Sequence, residues 1–158
     1  MRVGFGYDAH RLKTGRKCIL CGVEIPSEFG PDGHSDADVP VHALMDAMLG
    51  AAALGDIGKI FPDTDIRYKG ANSIELLKEV NALISQHGYS LGNADITIIL
   101  QSPKISEYIL LMRKTIAAAL EVDVGYISVK ATTEEKMGFT GEGIGISSMA
   151  AVLLGFRG

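Results

Sequence analysis

Apolar and polar residues alternate over residues 2–10, with Val3, Phe5 and Tyr7 on one side, the period of a half-buried β-strand. A second short strand is predicted over residues 17–25, KCILCGVEI. Residues 26–38 then form a polar loop rich in Gly, Pro, Asp and Ser, long enough that function is expected of it. Asp38 is placed to cap a helix with Pro40 in its first turn, running to about Leu54 and stopped by Gly55. Residues 55–70, GDIGKIFPDTDIRYKG, read as an ordered loop. A second helix is expected from Ser73, as its N-cap, to Gly88, with Leu76, Leu77, Val80, Leu83 and Ile84 as its apolar stripe.

Residues 94–100, ADITIIL, are strand-like, and Pro103 starts a turn into a third helix reaching about Leu120. Residues 126–132 alternate again, whereas residues 144–156 fit helix or strand equally by periodicity. The order predicts an α+β fold: one domain over residues 1–158, mixed α/β in content, with helices packed on one face of a mixed β-sheet. It is too irregular for a Rossmann unit, no G-x-G-x-x-G follows the first strand, and there is no internal repeat.

Composition narrows the function. The 158 residues are 47% apolar and 22% charged, the profile of a soluble globular protein. Fifteen basic against nineteen acidic residues give a net charge of -4, with no basic run, which disfavours a nucleic-acid or anionic-membrane surface. A polyanionic small substrate would need a metal or backbone amides to balance it. The N-terminus lacks a signal-peptide layout, and the longest small and apolar stretch, residues 47–55, is about half the ~20 residues of a membrane span, so a cytoplasmic protein is expected. Cys18 and Cys21 have C-x-x-C spacing without a second pair; on one strand they would face opposite ways, so a buried structural role is expected.

Asp8 and His10, two apart on a strand, share a face opposite Phe5 and Tyr7 and offer a carboxylate and an imidazole to a metal. His42, near the start of the first helix, would make three protein ligands, the number that leaves one zinc position open. Asp46, at i+4, is expected to orient His42. The segment His34-Ser35-Asp36-Ala37-Asp38 reads either as a turn with an N-cap or as a loop that meets phosphate oxygens. Asp56, Gly58, Asp63 and Asp65 read as solvated turn residues or as partners for vicinal hydroxyls. Two hydroxyls and a carboxylate after Lys130-Ala131, in Thr132-Thr133-Glu134-Glu135, suit a hard cation that also binds phosphate, or a Thr-rich turn. The following GEGIG is not a P-loop, because no Gly-Lys-Ser/Thr follows.

The order and spacing of these segments resemble one family. GFGYDAH, HSDADVPVHALMDAMLGAAALGDIGKIFPDTD, GYSLGNADITII, QSPKI and VKATTEEKMGFTGEGIGI look like the successive signatures of the 2-C-methyl-D-erythritol 2,4-cyclodiphosphate synthase family of non-mevalonate isoprenoid synthesis, across essentially the whole chain. The resemblance implies a phosphorus-oxygen lyase that converts 4-diphosphocytidyl-2-C-methyl-D-erythritol 2-phosphate to the cyclic diphosphate and releases CMP. It implies Zn2+ on Asp8, His10 and His42, and Mg2+ or Mn2+ on the substrate diphosphate and Glu135. His34 and Thr133 match the positions that stabilise the transition state. Asp56 matches the ribose contact, and Ser35, Gly58 and Asp63 match contacts to the methylerythritol, in a segment that also carries Ile57, Phe61 and Asp65. Leu100, Pro103, Lys104, Ile105 and Ser106 match the cytosine pocket, and Ala131, Thr132, Phe139 and Glu142 complete the substrate-binding set. The family's pocket faces a neighbouring subunit's metal site, which implies a homotrimer with sheets around the three-fold axis and interfacial active sites.

Three positions depart from the family's habit. Ala37 stands where Gly is usual, Glu134 replaces Thr or Ser, and Glu142 stands where Arg often helps to bind an isoprenoid diphosphate on the trimer axis. An acidic side chain there is expected to disfavour such a ligand. A zinc nucleotide hydrolase or deaminase is the rival enzyme; the deaminase's H-x-E and P-C-x-x-C are absent, and a hydrolase would be told apart by releasing free phosphates. A binding module that lost activity is opposed by intact Asp8, His10, His42, Lys130, Thr133 and Glu135. A chain that starts at Met1 and ends soon after its last apolar run is expected to work unfused.

Overall fold

The computed structural model describes residues 1–62, 64–68 and 70–156. Five strands form one sheet in the order β4-β1-β7-β5-β6: β1 Arg2–Thr14, β4 Phe29–Pro31, β5 Tyr89–Ile99, β6 Ile127–Thr132 and β7 Gly145–Phe156. Only β5 and β6 run parallel; β7 lies antiparallel between β1 and β5, and β4 pairs with the end of β1. A separate hairpin joins β2 (Cys18–Leu20) to β3 (Val23–Ile25). The helices α1 (Val39–Ala52), α3 (Ser73–Gln86) and α4 (Ile109–Leu120) cover one face, as the sequence predicts.

The first strand shows why α1 lies where it does. Its alternation is real, but the apolar side is the open one: Val3 is 76% and Phe5 65% exposed. The covered side carries Gly4 and Gly6, and a Cβ there would collide with the carbonyl oxygens of Ala47 and Ala43 in α1. Glycine therefore lets the helix lie directly on the strand, and twelve of its fourteen residues are buried. Asp38 caps it, its Oδ1 accepting from Val41 N–H at 3.4 Å while Cys21 and Gly22 donate to the same carboxylate at 2.8 and 2.6 Å. One buried carboxylate thus ties the hairpin to the helix start.

Several elements differ from expectation. Residues 17–25 are two strands, because Cys21 and Gly22 both take positive φ (51° and 73°) and turn the chain. Cys18 and Cys21 consequently do not share one strand; both are buried, as expected, and both are free thiols. The loop of residues 26–38 contains β4, and residues 55–70 contain the short helix α2 (Ile57–Ile60). Asn72, not Ser73, caps α3, accepting from Ile74 N–H at 2.9 Å. The ambiguous final segment is the central strand β7: Ile146, Ala150, Val152 and Leu154 face the core while Met149, Ala151 and Leu153 face outward. Its small residues satisfy either period, and only the strands on both sides select one.

Candidate metal centre

Asp8 and His10 follow Gly4 and Gly6 on the covered side of β1, and His42 immediately precedes Ala43, whose carbonyl faces Gly6. The close approach that the glycines permit therefore delivers the three side chains to one point. His10 Nε2 lies 3.1 Å from Asp8 Oδ2 and His42 Nδ1 lies 3.0 Å from the same oxygen. One ligand atom from each residue falls within 4.8 Å of the others, the only such cluster among the described residues.

The remote ring nitrogens are already engaged. His10 Nδ1 donates to the Asp32 carbonyl at 2.6 Å. His42 Nε2 meets Ser73 Oγ at 3.1 Å and Ser35 Oγ at 3.2 Å. With those nitrogens as donors, the rings turn toward Asp8 the nitrogens that carry lone pairs when an imidazole is neutral and protons when it is charged, so the same point suits either a shared proton or a cation. Ligand atoms in a tetrahedron with bonds of ~2.0 Å stand about 3.3 Å apart, close to the spacing found. The electrostatics agree. Burial alone would raise the Asp8 carboxyl, yet hydrogen bonds from His10 and His42 and their charge hold it well below the usual range. The hydrogen bond to Asp8 raises His10 against the pull of burial. A proton shared there stands in for a cation, and the donor set fits a divalent metal with an open position.

These residues line a cleft of about 250 Å3 with His34, Ser35, Ile57, Gly58 and Phe61. Gly33, Met45, Tyr68 and Leu76 complete the wall, and Tyr68 meets Phe61 edge-on at 5.1 Å. A larger depression of about 670 Å3 between α3, α4 and β5 holds no metal-ligating cluster, so chemistry rather than volume singles out the smaller cleft. Arg16 secures the rim, donating to the carbonyls of Pro31, Gly33 and Ser35 at 3.2, 3.1 and 3.4 Å. Ala37, buried within the same loop, takes φ 55°, where glycine is favoured, so its side chain strains the turn.

Asp46 does not reach His42. Its Oδ1 accepts from Ile57 N–H at 2.8 Å and fixes the start of α2, and burial raises its carboxyl. The partners of His42 Nε2 are Ser35 and Ser73; Ser73 looks like a helix cap in the sequence, Asp36 like a turn residue, and Arg16 carries no motif. Asp56 caps α2 through Lys59 N–H at 3.0 Å, and Asp65 is held by Arg67, whose Nη2 donates at 2.6 Å. Asp63 lies outside the described residues.

The remaining predicted residues lie elsewhere on the sheet. Asp8 is in register with Ser148, Ser148 with Ile98, and Ile98 with Ala131. Three strand spacings, roughly 14 Å, separate the triad from that edge. There Glu135 Oε1 accepts from Thr133 Oγ1 at 3.2 Å, and Lys130 pairs with Asp95 at 2.7 Å. Glu134 turns away to accept from Thr140 Oγ1. Leu100 donates to Thr132 O at 3.0 Å; Ile105 is buried, Pro103 is half-buried, and Thr132, Lys104 and Ser106 are exposed. Phe139 packs beside Gly145 near His10, and Glu142 is exposed. One chain unites the triad with His34 and Ser35 but not with Thr133, Glu135 or residues 100–106.

The chain is similar in sequence and fold to known proteins. A protein of Clostridium acetobutylicum named 2-C-methyl-D-erythritol 2,4-cyclodiphosphate synthase is 60% identical over 154 residues, covering 98% of this chain and 99% of the relative. The bifunctional IspDF of Campylobacter jejuni superposes with a TM-score of 0.95 at 44% identity, over 98% of this chain and 42% of that one. The CDP complex of IspF from Plasmodium falciparum superposes with a TM-score of 0.87 at 37% identity, over 99% and 97%. The sequence model of the YgbB family matches residues 1–155, and the chain belongs to that family, with the 2-C-methyl-D-erythritol 2,4-cyclodiphosphate synthases as its relatives.

Proposed function

We propose that this chain converts 4-diphosphocytidyl-2-C-methyl-D-erythritol 2-phosphate to 2-C-methyl-D-erythritol 2,4-cyclodiphosphate and CMP, as a phosphorus-oxygen lyase of isoprenoid precursor biosynthesis. The convergence of two imidazole lone pairs and a carboxylate in a cleft beside His34 and Ser35 carries the reading. The substrate's 2-phosphate oxygen attacks the β-phosphorus, the bond from that phosphorus to the oxygen bridging to CMP breaks, and CMP leaves with the electron pair. The attacking oxygen is already anionic, so the protein's part is alignment and charge neutralisation.

Asp8, His10 and His42 would hold one Zn2+ per subunit, which when bound supplies Lewis-acid polarisation of a phosphate oxygen. Glu135, with the substrate diphosphate, would hold Mg2+ or Mn2+. His34, exposed at the cleft, and Thr133 are assigned to the equatorial oxygens of the transition state. Ser35, Gly58, Phe61 and Ile57 are assigned to the methylerythritol wall, where apolar contacts exclude water that would hydrolyse the diphosphate. Asp56 is assigned to the ribose, residues 100–106 to the cytosine, and Ala131, Thr132, Asp65, Phe139 and Glu142 to the surrounding wall.

A homotrimer with active sites between subunits is part of the proposal. The separation of the triad from Thr133 and Glu135 supports it, as does the open sheet face, where Val3, Phe5, Tyr7 and Met149 stay 41–76% exposed. No helix among the described residues is long and apolar enough to cross a membrane, which accords with a cytoplasmic location. Phosphorus NMR of the substrate with the protein tests the reaction. Two coupled resonances of a cyclic diphosphate together with CMP, lost on adding a chelator, are expected; free phosphates would refute it.

A further inference from the structure

We propose that Ser73 is a positioning residue for the metal centre, fixing His42 so that Nε2 keeps its proton and Nδ1 turns a lone pair toward Asp8. The inference rests on reading Asp8, His10 and His42 as metal ligands.

Hydrogen-bond direction decides the geometry. Ser73 is fully buried at the first position of α3, and its Oγ touches both His42 Nε2 and a carboxylate oxygen of Asp36. A carboxylate can only accept, so the single hydroxyl proton of Ser73 goes to Asp36. Toward His42 the hydroxyl is then left with lone pairs alone, and Nε2 must be the donor. Asp36 is itself fixed in place, since its Oδ2 accepts from Ser73 N–H at 2.9 Å and its Oδ1 from Asp38 N–H at 3.3 Å. Ser35 also approaches Nε2, but its Oγ accepts from Ala37 N–H at 3.1 Å and its proton remains free to point either way. Of the two hydroxyls, only Ser73 has its polarity set.

The same link joins the metal ligand to the substrate loop. Asp36 lies between Ser35 and Ala37, its N–H donates to the Ala71 carbonyl at 3.2 Å, and Gly70 N–H donates to the His34 carbonyl at 2.8 Å. Displacing the loop therefore displaces Asp36, releases the Ser73 proton and frees the ring of His42. An aspartate, a serine and a histidine drawn from three segments act as one directed chain ending at the metal face.

Two measurements decide it. Zinc affinity is compared by chelator competition in wild type, Ser73→Ala and Ser73→Thr, with melting of the metal-free proteins as a control on folding. Long-range proton–nitrogen correlation spectra of the zinc-loaded wild type assign the His42 ring nitrogens. Expected results are a loss of roughly tenfold or more in affinity for Ser73→Ala, substantial recovery in Ser73→Thr, and a slowly exchanging Nε2 proton in wild type with the metal on Nδ1. Zinc on Nε2, or a Ser73→Ala protein that binds zinc within about twofold of wild type, overturns the proposal and leaves the metal site standing. A wild type that takes up no zinc overturns the site itself. Should Ser73→Ala fail to fold, the wild-type nitrogen assignment still decides.

Discussion

Two ends of the same sheet are prepared to very different degrees. At β1 and α1, Asp8, His10 and His42 are half-buried or buried, share a single oxygen as their meeting point, and have their remote nitrogens tied to Asp32 and Ser73. Beyond β6, Glu135 is exposed, sits with Lys136 at positive φ (53° and 65°), and among the described residues accepts a hydrogen bond from Thr133 of its own turn. The first end is held by core packing. The second is held by a local turn, with its carboxylate open to solvent. A centre that must keep a metal through turnover gains from rigid surroundings, whereas a cation arriving with the substrate can be met by an adaptable surface.

Removing a ligand at the rigid end is expected to have the largest effect. Asp8→Ala should abolish stoichiometric zinc binding and lower turnover by roughly 10³-fold, measured by metal content and the phosphorus NMR assay. Its metal-free melting temperature should fall only modestly, because the variant loses the contact between the Asp8 carboxylate and His10 but leaves the apolar core intact; a loss of fold would show that Asp8 serves the core instead. At the exposed end, Glu135→Gln should cost about 10²-fold in turnover while zinc content stays unchanged. Loss of zinc in that variant would erase the distinction between the two ends.

A milder test attacks the support of the first end. Gly6→Ala places a methyl against the Ala43 carbonyl, and overpacking of this kind costs roughly 1–3 kcal/mol. The melting temperature should fall by several degrees, and zinc affinity with it, because His42 moves with α1. The smallest expected effect concerns the thiols in the hairpin that braces the helix start. Burial pushes the Cys18 thiol up to about 11 and Cys21 well above the ordinary value. Between the unfolded value near 8.5 and about 11, the native state keeps protons that the unfolded chain releases, so stability should fall as pH rises through that window and be unaffected below it. Urea unfolding at about pH 8 and about pH 10.5 should show this slope in wild type and lose it in Cys18→Ala/Cys21→Ala.

Much of the site was legible because its signals are local. Period-2 alternation put Asp8 and His10 on one side of a strand, and the Asp38–Pro40 start placed His42 in the first turn of a helix. The order of the helices and strands was enough to expect helices on one face of a mixed sheet. Signals that depend on a distant partner were misread. Asp46, at helical spacing from His42, suggested a pair, but the α2 backbone claims it. Ser73 and Asp36 resemble a cap and a turn residue, and only the docking of α3 against the loop of His34 turns them toward His42.

The chain's own alternation, glycines and caps determined which residues face the core side of β1 and where α1 begins, since those are properties of neighbouring backbone units. Tertiary structure alone decided that residues 145–156 form the central strand, that the apolar side of β1 stays open, and that Ala131 of β6, just ahead of Thr133 and Glu135, stands roughly three strand spacings from Asp8. These outcomes depend on which strands become neighbours, and pairing between segments far apart in the chain leaves no periodic trace in either one.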